Sequence, residues 1–269
     1  MTEPGIEPRV DEVRLELKGH VAWVTFDRQH VLNALDAAST RRCNDIWDQI
    51  ERDPSVHAVV VTGAGERAFC TGADMSTAGV GKTGVDYWAD LDPNGFAGLS
   101  LRRSLDVPVI ARVNGYALGG GMEAVLGADL VVAAEHARFG LTEPRVGRLP
   151  LDGGMVRLAR RIPYTQAMSL LMTGRKAPAA EMLAMGLVNE VVPAGELDAA
   201  VDRWLEQILA CAPTSLRAIK QVLNRTDHLT DREAHGARLP ALMEALVSPN
   251  AEEGVAAFQQ KRSPNWSDR

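Results

Sequence analysis

The sequence lacks a hydrophobic run that could cross a membrane, since no stretch of about 18 uncharged apolar residues occurs in it. Its first eight residues include no basic segment followed by an apolar one, so no secretory signal is predicted. It has only three cysteines, which cannot all pair with one another and are not spaced like the ligands of a metal site: Cys43, Cys70 and Cys211. We therefore expect reduced thiols, no bound metal, no contact with membranes and a cytoplasmic location.

Excess positive charge is also missing. The chain carries 29 lysines and arginines against 35 aspartates and glutamates, a formal net charge of −6. A nucleic-acid-binding protein normally presents a basic face, so no nucleic-acid partner is expected. A smaller anionic ligand stays possible, because a few local cations and backbone amides are enough to bind one.

The overall composition is typical of a globular protein: of the 269 residues, 46% are hydrophobic and 24% are charged. This length fits one large α/β domain with a small appendage, or two modest domains. There is no repeat at a fixed period and no low-complexity tract.

Short apolar segments alternate with helical ones along the first two thirds of the chain. Residues 13–17 alternate between apolar and charged side chains, which predicts a half-buried strand. Residues 21–26 are apolar on both faces, which predicts a strand covered on both sides. Further strands are predicted at residues 57–62, 107–113 and 129–134. Strands that alternate with helices indicate βαβ units and a mostly parallel sheet.

The remaining segments divide the chain into two regions. A helix is predicted to open near residues 33–36, with Asp36 or a neighbour as its cap, and to end near Arg52. Residues 76–95 are rich in glycine and are expected to form an irregular, mobile loop beside a site. After Pro193 only helical patterns follow, so residues 1–195 are predicted to form the core and 196–269 a helical region.

Two glycine-containing segments could supply backbone amide donors. In the first, residues 68–75, small side chains at 71–73 would let a ligand approach the backbone. In the second, residues 114–123, three consecutive glycines stand between a strand and a helix, whose N-terminal amides favour negative charge. Taken alone, the first segment could be an ordinary tight turn, and Glu123 in the second could merely favour the helix dipole.

A second carboxylate, Glu143, stands 20 residues after Glu123 and precedes Pro144, which biases it to an extended conformation. By itself it could be a solvated loop residue. Together the segments offer two amide donors and two carboxylates. Two amides can stabilise an enolate oxygen that develops on a thioester carbonyl, and two carboxylates can handle a water molecule and a carbon-bound proton.

In this order and spacing the segments resemble the crotonase (enoyl-CoA hydratase/isomerase) superfamily. The resemblance runs from about residue 12 to 266, nearly the whole chain. The matching segments are residues 33–35, 68–74, 114–123, 139–143, 173–175, 186–188 and 253–262.

The resemblance implies a role for each site residue. The backbone N–H groups of Ala73 and Gly120 would form an oxyanion hole. Glu123 would activate water for attack on Cβ, and Glu143 would deliver a proton to Cα. Coenzyme A would be part of the acyl-CoA substrate, so neither a separate cofactor nor a metal would be needed. Four further residues match positions expected to bind the substrate, the last two often from a neighbouring subunit: Asp74, Met75, Phe258 and Lys261.

The resemblance also implies an α/β fold and an assembly. The core would be a spiral of ββα turns, followed by a C-terminal helical trimerisation region. A homotrimer or a dimer of trimers is therefore expected. Apolar side chains at helical spacing in residues 239–246 would need a partner surface.

Two departures from the superfamily pattern concern the substrate. Ser76 stands where enoyl-CoA hydratases often have a lysine, which puts one contact to the phosphate or adenine in doubt. Residues 149–154 replace a run of small residues, and Asp152 among them loosely resembles the carnitinyl-CoA dehydratase branch. Either change is compatible with a polar or unusual acyl chain.

Retention of both Glu123 and Glu143 favours hydration or dehydration of an acyl-CoA, a hydro-lyase activity. An enoyl-CoA isomerase and a carnitinyl-CoA dehydratase-like enzyme are the alternatives within this class. A non-catalytic relative, such as the RNA-binding members, is disfavoured by the negative net charge and by the two glutamates.

Overall fold

The computed structural model describes residues 12–76 and 83–268, which fold around two β-sheets. The strands are β1 (Val13–Lys18), β2 (Val21–Phe26), β3 (Ala58–Gly63), β4 (Ala68–Cys70), β5 (Val109–Val113), β6 (Tyr116–Leu118), β7 (Leu130–Ala134), β8 (Arg138–Gly140), β9 (Ala177–Pro178) and β10 (Glu190–Val192).

Helices follow most of these strands, and short 3₁₀ turns lie at 29–31, 96–98, 143–146 and 194–196. The helices are α1 (Ala37–Arg52), α2 (Gly84–Ala89), α3 (Gly120–Gly127), α4 (Gly154–Arg161), α5 (Tyr164–Thr173), α6 (Ala179–Ala184), α7 (Leu197–Leu209), α8 (Pro213–Thr226), α9 (Asp231–Gly236), α10 (Pro240–Val247) and α11 (Asn250–Gln260).

The chain visits the two sheets in turn. The larger sheet has the order β1-β2-β3-β5-β7-β10, and all of its pairs are parallel except β1 with β2. The smaller sheet has the order β4-β6-β8-β9. Because β3, β5 and β7 are each followed by a strand of the smaller sheet, the chain advances as repeated ββα turns. The predicted spiral α/β fold is therefore confirmed for the core.

Strand β2 is covered on both faces, as its sequence predicts. Ala22, Val24 and Phe26 point into the main core, between the sheets and α1. Val21 belongs to a second core on the other face, which includes Leu197 and neighbouring residues of α7. The large sheet is thus buried on both sides, as parallel strands usually are.

Helix α1 also forms where the sequence predicts it. Asp36 is its N-cap, and its Oδ1 accepts a hydrogen bond from the backbone N–H of Ser39 at 2.8 Å. The helix buries Ile46, Trp47 and Ile50, and the Trp47 indole N–H donates to the carbonyl of Ala97 at 2.7 Å. This contact fixes the turn that leads toward the glycine-rich segments.

The irregular loop predicted for residues 76–95 needs a correction. Residues 77–82 lie outside the described part of the chain, but residues 84–89 form α2. Thr83 and Asp86 make a capping box, in which the Thr83 hydroxyl accepts from the backbone N–H of Asp86 at 3.1 Å. This capping box starts a helix, whereas the glycine-rich composition of the segment had predicted a loop.

Only helices and connecting turns follow β10 in the described residues, as predicted. The first of them, α7, covers the second face of the large sheet, so the helical region begins by completing the core. The boundary at residue 195 stays a prediction. None of the described helices is long and apolar enough to cross a membrane.

Candidate active site

The Ala73 amide lies just after β4, in a loop held by residue 35. The backbone N–H of Leu35 donates to the carbonyl of Gly72 at 2.9 Å, and the N–H of Asp74 donates to the carbonyl of Leu35 at 2.9 Å. In such a parallel bridge the N–H of the middle residue points away from its partner. The Ala73 N–H is therefore directed to the side opposite Leu35.

The Gly120 amide is at the first turn of α3, where helix N–H groups have no partner within the helix. Gly119 before it has φ 55° and ψ −129°, a conformation that favours glycine. A Cβ on Gly120 would collide with the ring of Phe96. A Cβ on Gly72 would lie only 3.0 Å from the Gly120 nitrogen, so the two predicted amide segments touch each other.

Glu123 stands one turn into α3 and is 2% exposed. Its Oε1 accepts a hydrogen bond from the backbone N–H of Gly154 at 2.9 Å. Gly154 is the first residue of α4, so the carboxylate meets the positive end of a second helix.

Glu143 opens the 3₁₀ turn after β8. A Cβ on Gly119 would lie 3.3 Å from the Glu143 Oε1, so this carboxylate borders the same glycine turn. Its Oε2 is buried, and no hydrogen-bond partner for it occurs in the described residues. The structure therefore brings both sequence-predicted glutamates to the loop that carries the candidate amides.

A third carboxylate and a phenol join this group. Asp152 is 5% exposed, and its Oδ2 accepts a hydrogen bond from the Tyr87 hydroxyl at 2.6 Å. From the sequence, Asp152 was noted as a departure from the superfamily pattern and was not predicted to be a site residue. Tyr87 was missed because it lies in the segment predicted to be irregular, although Thr83 and Asp86 already had the spacing of a capping box.

Burial and neighbouring charges raise the pKa of all three carboxyl groups. Burial, then the charges of Asp152 and Glu143, raise the pKa of Glu123 to about 8. Burial and the Asp152 charge raise the pKa of Glu143. Burial and Asp92 raise the pKa of Asp152, and the hydrogen bond from Tyr87 partly offsets the rise. The pKa of Glu123 is raised most strongly, since it is deeply buried and faces both other charges.

Asp74 was predicted to bind substrate, but its carboxylate faces the protein. It accepts from the Arg28 guanidinium at 3.0 Å and from the Ser76 hydroxyl at 2.6 Å. The buried Arg28 also pairs with Glu12 and Asp36. In this structure Asp74 positions the loop that carries the Ala73 amide, and its substrate-binding role stays a prediction.

The other predicted substrate-binding residues are exposed. Met75 follows Asp74 at the surface. Phe258 is 85% exposed on α11, and Lys261 ends that helix in the left-handed conformation, with φ 53°. Within the described residues, no hydrogen bond or ion pair joins Lys261 to the glutamates. These three side chains are not brought into the buried group, and their roles stay predictions.

Comparison with known proteins identifies the family. The family described as enoyl-CoA hydratase/isomerase matches residues 16–269. A carnitinyl-CoA dehydratase of Proteus mirabilis is 37% identical over 261 residues, which cover 96% of this chain and 98% of that protein. The chain belongs to the enoyl-CoA hydratase/isomerase family, and the predicted crotonase-superfamily membership is confirmed.

Solved structures agree with this assignment. The crystal structure of an enoyl-CoA hydratase from Mycobacterium tuberculosis H37Rv has a TM-score of 0.87 at 32% identity, covering 97% of this chain and 100% of that one. A carnitinyl-CoA hydratase from Mycobacterium avium has a TM-score of 0.74 at 37% identity, with the same coverage. These relatives confirm the predicted fold and the predicted hydratase or dehydratase activity, that of a hydro-lyase.

Proposed function

We propose that the chain catalyses reversible hydration of an α,β-unsaturated acyl-CoA, with Glu123 and Glu143 as its catalytic residues. The observation that carries this proposal is the convergence of both glutamates on the glycine turn before α3. Glu123 is on the helix that this turn starts, and Glu143 Oε1 borders Gly119 within the turn. This arrangement places two carboxylates that interact with each other next to the candidate amides.

The amides of Ala73 and Gly120 are proposed to hold the thioester oxygen. When a nucleophile adds to Cβ, electron density moves through Cα to this oxygen and gives an enolate. Fixed N–H donors stabilise that charge without reorganisation of solvent. The absence of side chains at Gly72 and Gly120 lets the two amide segments approach each other, since a Cβ on Gly72 would lie 3.0 Å from the Gly120 nitrogen.

Hydration then needs one base and one acid. Glu123 takes a proton from water as the water oxygen attacks Cβ. The enolate collapses and takes a proton from Glu143 at Cα, which restores the thioester carbonyl. Dehydration uses the same groups in reverse: Glu143 removes the Cα proton, and Glu123 protonates the departing hydroxyl.

The resting protonation state fits the dehydration direction. Burial and two neighbouring charges raise the pKa of Glu123 to about 8, which favours the protonated form of this carboxyl near neutral pH. That is the acid needed to release water from Cβ. Hydration uses the opposite state, with Glu123 ionised and the proton on Glu143.

A polar acyl chain is the second feature that we propose for the substrate. Asp152 places a buried carboxylate next to Glu123, where an aliphatic chain would gain nothing from it. The Proteus mirabilis and Mycobacterium avium relatives are named for carnitinyl-CoA. Both facts support a substrate of the carnitinyl-CoA type over a plain fatty acyl chain.

We also propose that residues 196–269 form a trimer contact and that Phe258 and Lys261 meet the CoA nucleotide. Large apolar side chains stay exposed in this region: Ile219, Leu223, Met243, Leu246, Val247 and Phe258. Exposed apolar surface of this kind is typical of an interface. Light scattering at micromolar concentration should give a trimer or hexamer, and a monodisperse monomer would contradict this.

The loss of conjugated enoyl-thioester absorbance tests the proposed activity. Hydration removes the conjugation and adds one water to the mass of the thioester, whereas mere binding changes neither. A panel of enoyl-CoA thioesters of different length and polarity should include one that the protein converts. If no member of the panel is hydrated and no 3-hydroxyacyl-CoA is dehydrated, the proposal fails.

A further inference from the structure

One buried carboxylate at the site has no role in the proposed chemistry. Water addition uses Glu123 and Glu143, which leaves Asp152. A buried carboxylate is costly unless it is paired or hydrogen-bonded. Asp152 is 5% exposed, and although the Tyr87 hydroxyl donates a hydrogen bond to it, no basic side chain pairs with its charge in the part of the chain that the structure describes.

The local structure fixes Asp152 firmly. The Ser100 hydroxyl donates to its backbone carbonyl at 2.6 Å, and the Tyr87 hydroxyl donates to its Oδ2 at 2.6 Å. Two residues further on, the N–H of Gly154 binds Glu123. Asp152 is therefore fixed by Tyr87 of α2 and stands two residues before the amide that binds Glu123.

The site is short of positive charge. Among the described residues, no basic side chain forms an ion pair with Glu123, Glu143 or Asp152. The buried Glu143 Oε2 also has no hydrogen-bond partner within residues 12–76 and 83–268. The pKa of all three groups is raised, which is consistent with buried carboxylates that lack neighbouring positive charge. A cation brought by the substrate would relieve it.

We propose that Asp152 and Tyr87 form the subsite that recognises a quaternary ammonium group on the acyl chain. The inference rests on the proposed function and names the residues that select its substrate. A quaternary ammonium has no N–H to donate, and Asp152 already accepts its hydrogen bond from Tyr87. Such a cation is held instead by charge and by the face of an aromatic ring.

The position of this pair matches the chemistry of the relatives' substrate. In a carnitinyl thioester the quaternary nitrogen is bonded to the carbon next to Cβ. Glu123 handles the oxygen on Cβ, and Asp152 is the charged neighbour of Glu123. Asp152 and Tyr87 both interact with Glu123, so we assign them to the nitrogen on the carbon next to Cβ.

Two substrates that differ only in charge test the proposal. One is crotonyl-CoA with a trimethylammonio group on its terminal carbon, and the other is its neutral isostere with carbon in place of nitrogen. The quantity measured is the ratio of their kcat/KM values. The wild-type protein should favour the cationic substrate, and Asp152→Asn should lower that ratio on the order of 10²-fold, as loss of a buried charge partner does.

Matched variants separate charge from shape. Asp45 is exposed on α1, so Asp45→Asn should leave the ratio at its wild-type value. Tyr87→Phe keeps the ring and should retain more of the preference than Tyr87→Leu, which removes the ring. Circular dichroism and thermal melting verify that each variant is folded.

A wild-type protein that prefers the neutral isostere would overturn the proposal without any variant. So would an Asp152→Asn variant that loses both activities equally, because Asp152 would then serve the reaction or the fold. Either result leaves the proposed hydration intact. If neither these two thioesters nor crotonyl-CoA itself is converted, the proposed function is the one that fails.

Discussion

The carboxylate of Glu123 accepts a hydrogen bond from the backbone N–H of Gly154 at 2.9 Å. This bond joins the first turn of α3 to the start of α4, two segments that are 31 residues apart. It fixes the side chain of the proposed water-activating residue in one orientation. Holding a catalytic group in the reactive geometry can remove a large part of the activation barrier.

Gly154→Ala tests the importance of this contact. An added Cβ would lie 3.0 Å from Glu123 Oε1 and 2.8 Å from Cβ of Pro150, so the loop or the carboxylate must move. We expect turnover to fall on the order of 10²-fold, the effect of a displacement of about 1 Å at a reacting group. Gly195→Ala is the matched control, because among the described residues only its own chain neighbours come within 4 Å of its added Cβ. Equal turnover in the two variants would contradict the positioning role.

The pH profile of dehydration should have an alkaline limb near the pKa of Glu123, about 8. Dehydration requires this group to be protonated, so kcat/KM should fall as the pH rises through that value. Asp152→Asn removes a negative neighbour that raises the pKa of Glu123, so the limb should move to lower pH. The measurement is kcat/KM for the 3-hydroxyacyl-CoA between mildly acidic and alkaline pH. A limb that stays in place in Asp152→Asn would show that Glu123 does not set it.

Stability should depend on pH through the same residue. Folding raises the pKa of Glu123 from 4.5 to about 8, so the folded state binds more protons between these values. The free energy of unfolding should therefore fall as the pH rises through this window, by roughly 1.4 kcal/mol for each pKa unit gained on folding. Glu123→Gln cannot ionise and should melt at a higher temperature than the wild type at the alkaline end. Chemical denaturation across this range checks it, and parallel pH curves for both proteins would contradict it.

The oxyanion-hole assignment is tested at Ala73. Ala73→Pro removes one N–H donor and should cost on the order of 10²–10³-fold in turnover, the usual effect of losing such a donor. Ala73→Gly keeps the N–H and should retain far more activity than Ala73→Pro. Near-normal turnover of a folded Ala73→Pro variant would show that this amide does not bind the thioester oxygen.

Local chemistry explains which features the sequence could predict. Asp36 caps α1 by accepting a hydrogen bond from the backbone N–H of Ser39, three residues later in the sequence. Strand β2 is recognised from the apolar residues on both of its faces. Gly119 has a positive φ, a backbone conformation that favours glycine over other residues. Glu123 and Glu143 were predicted to act together because the family resemblance assigns both to one site. The residues next to either glutamate in the sequence do not indicate this pairing.

Features that depend on distant parts of the chain could not be predicted in the same way. The hydrogen bond between Tyr87 and Asp152 spans 65 residues and joins α2 to the loop before α4. The buried Arg28 binds Asp74 across 46 residues, and nothing near Asp74 in the sequence indicates such a partner. The orientation of Asp74 into the protein therefore became visible only in the folded chain.

Hydration rates of glutamine variants test the central claim most directly. Glu123→Gln and Glu143→Gln keep the size of each side chain but cannot transfer a proton in the same way. Glu206→Gln, at an exposed position of α7, is the matched control. On a substrate that the wild type converts well, the loss of enoyl-thioester absorbance should slow on the order of 10²–10⁴-fold in each of the first two variants. The control should keep the wild-type rate. If only Glu123→Gln is harmless, a double-bond isomerase becomes the better account, and near wild-type hydration by both site variants would contradict catalysis by this pair.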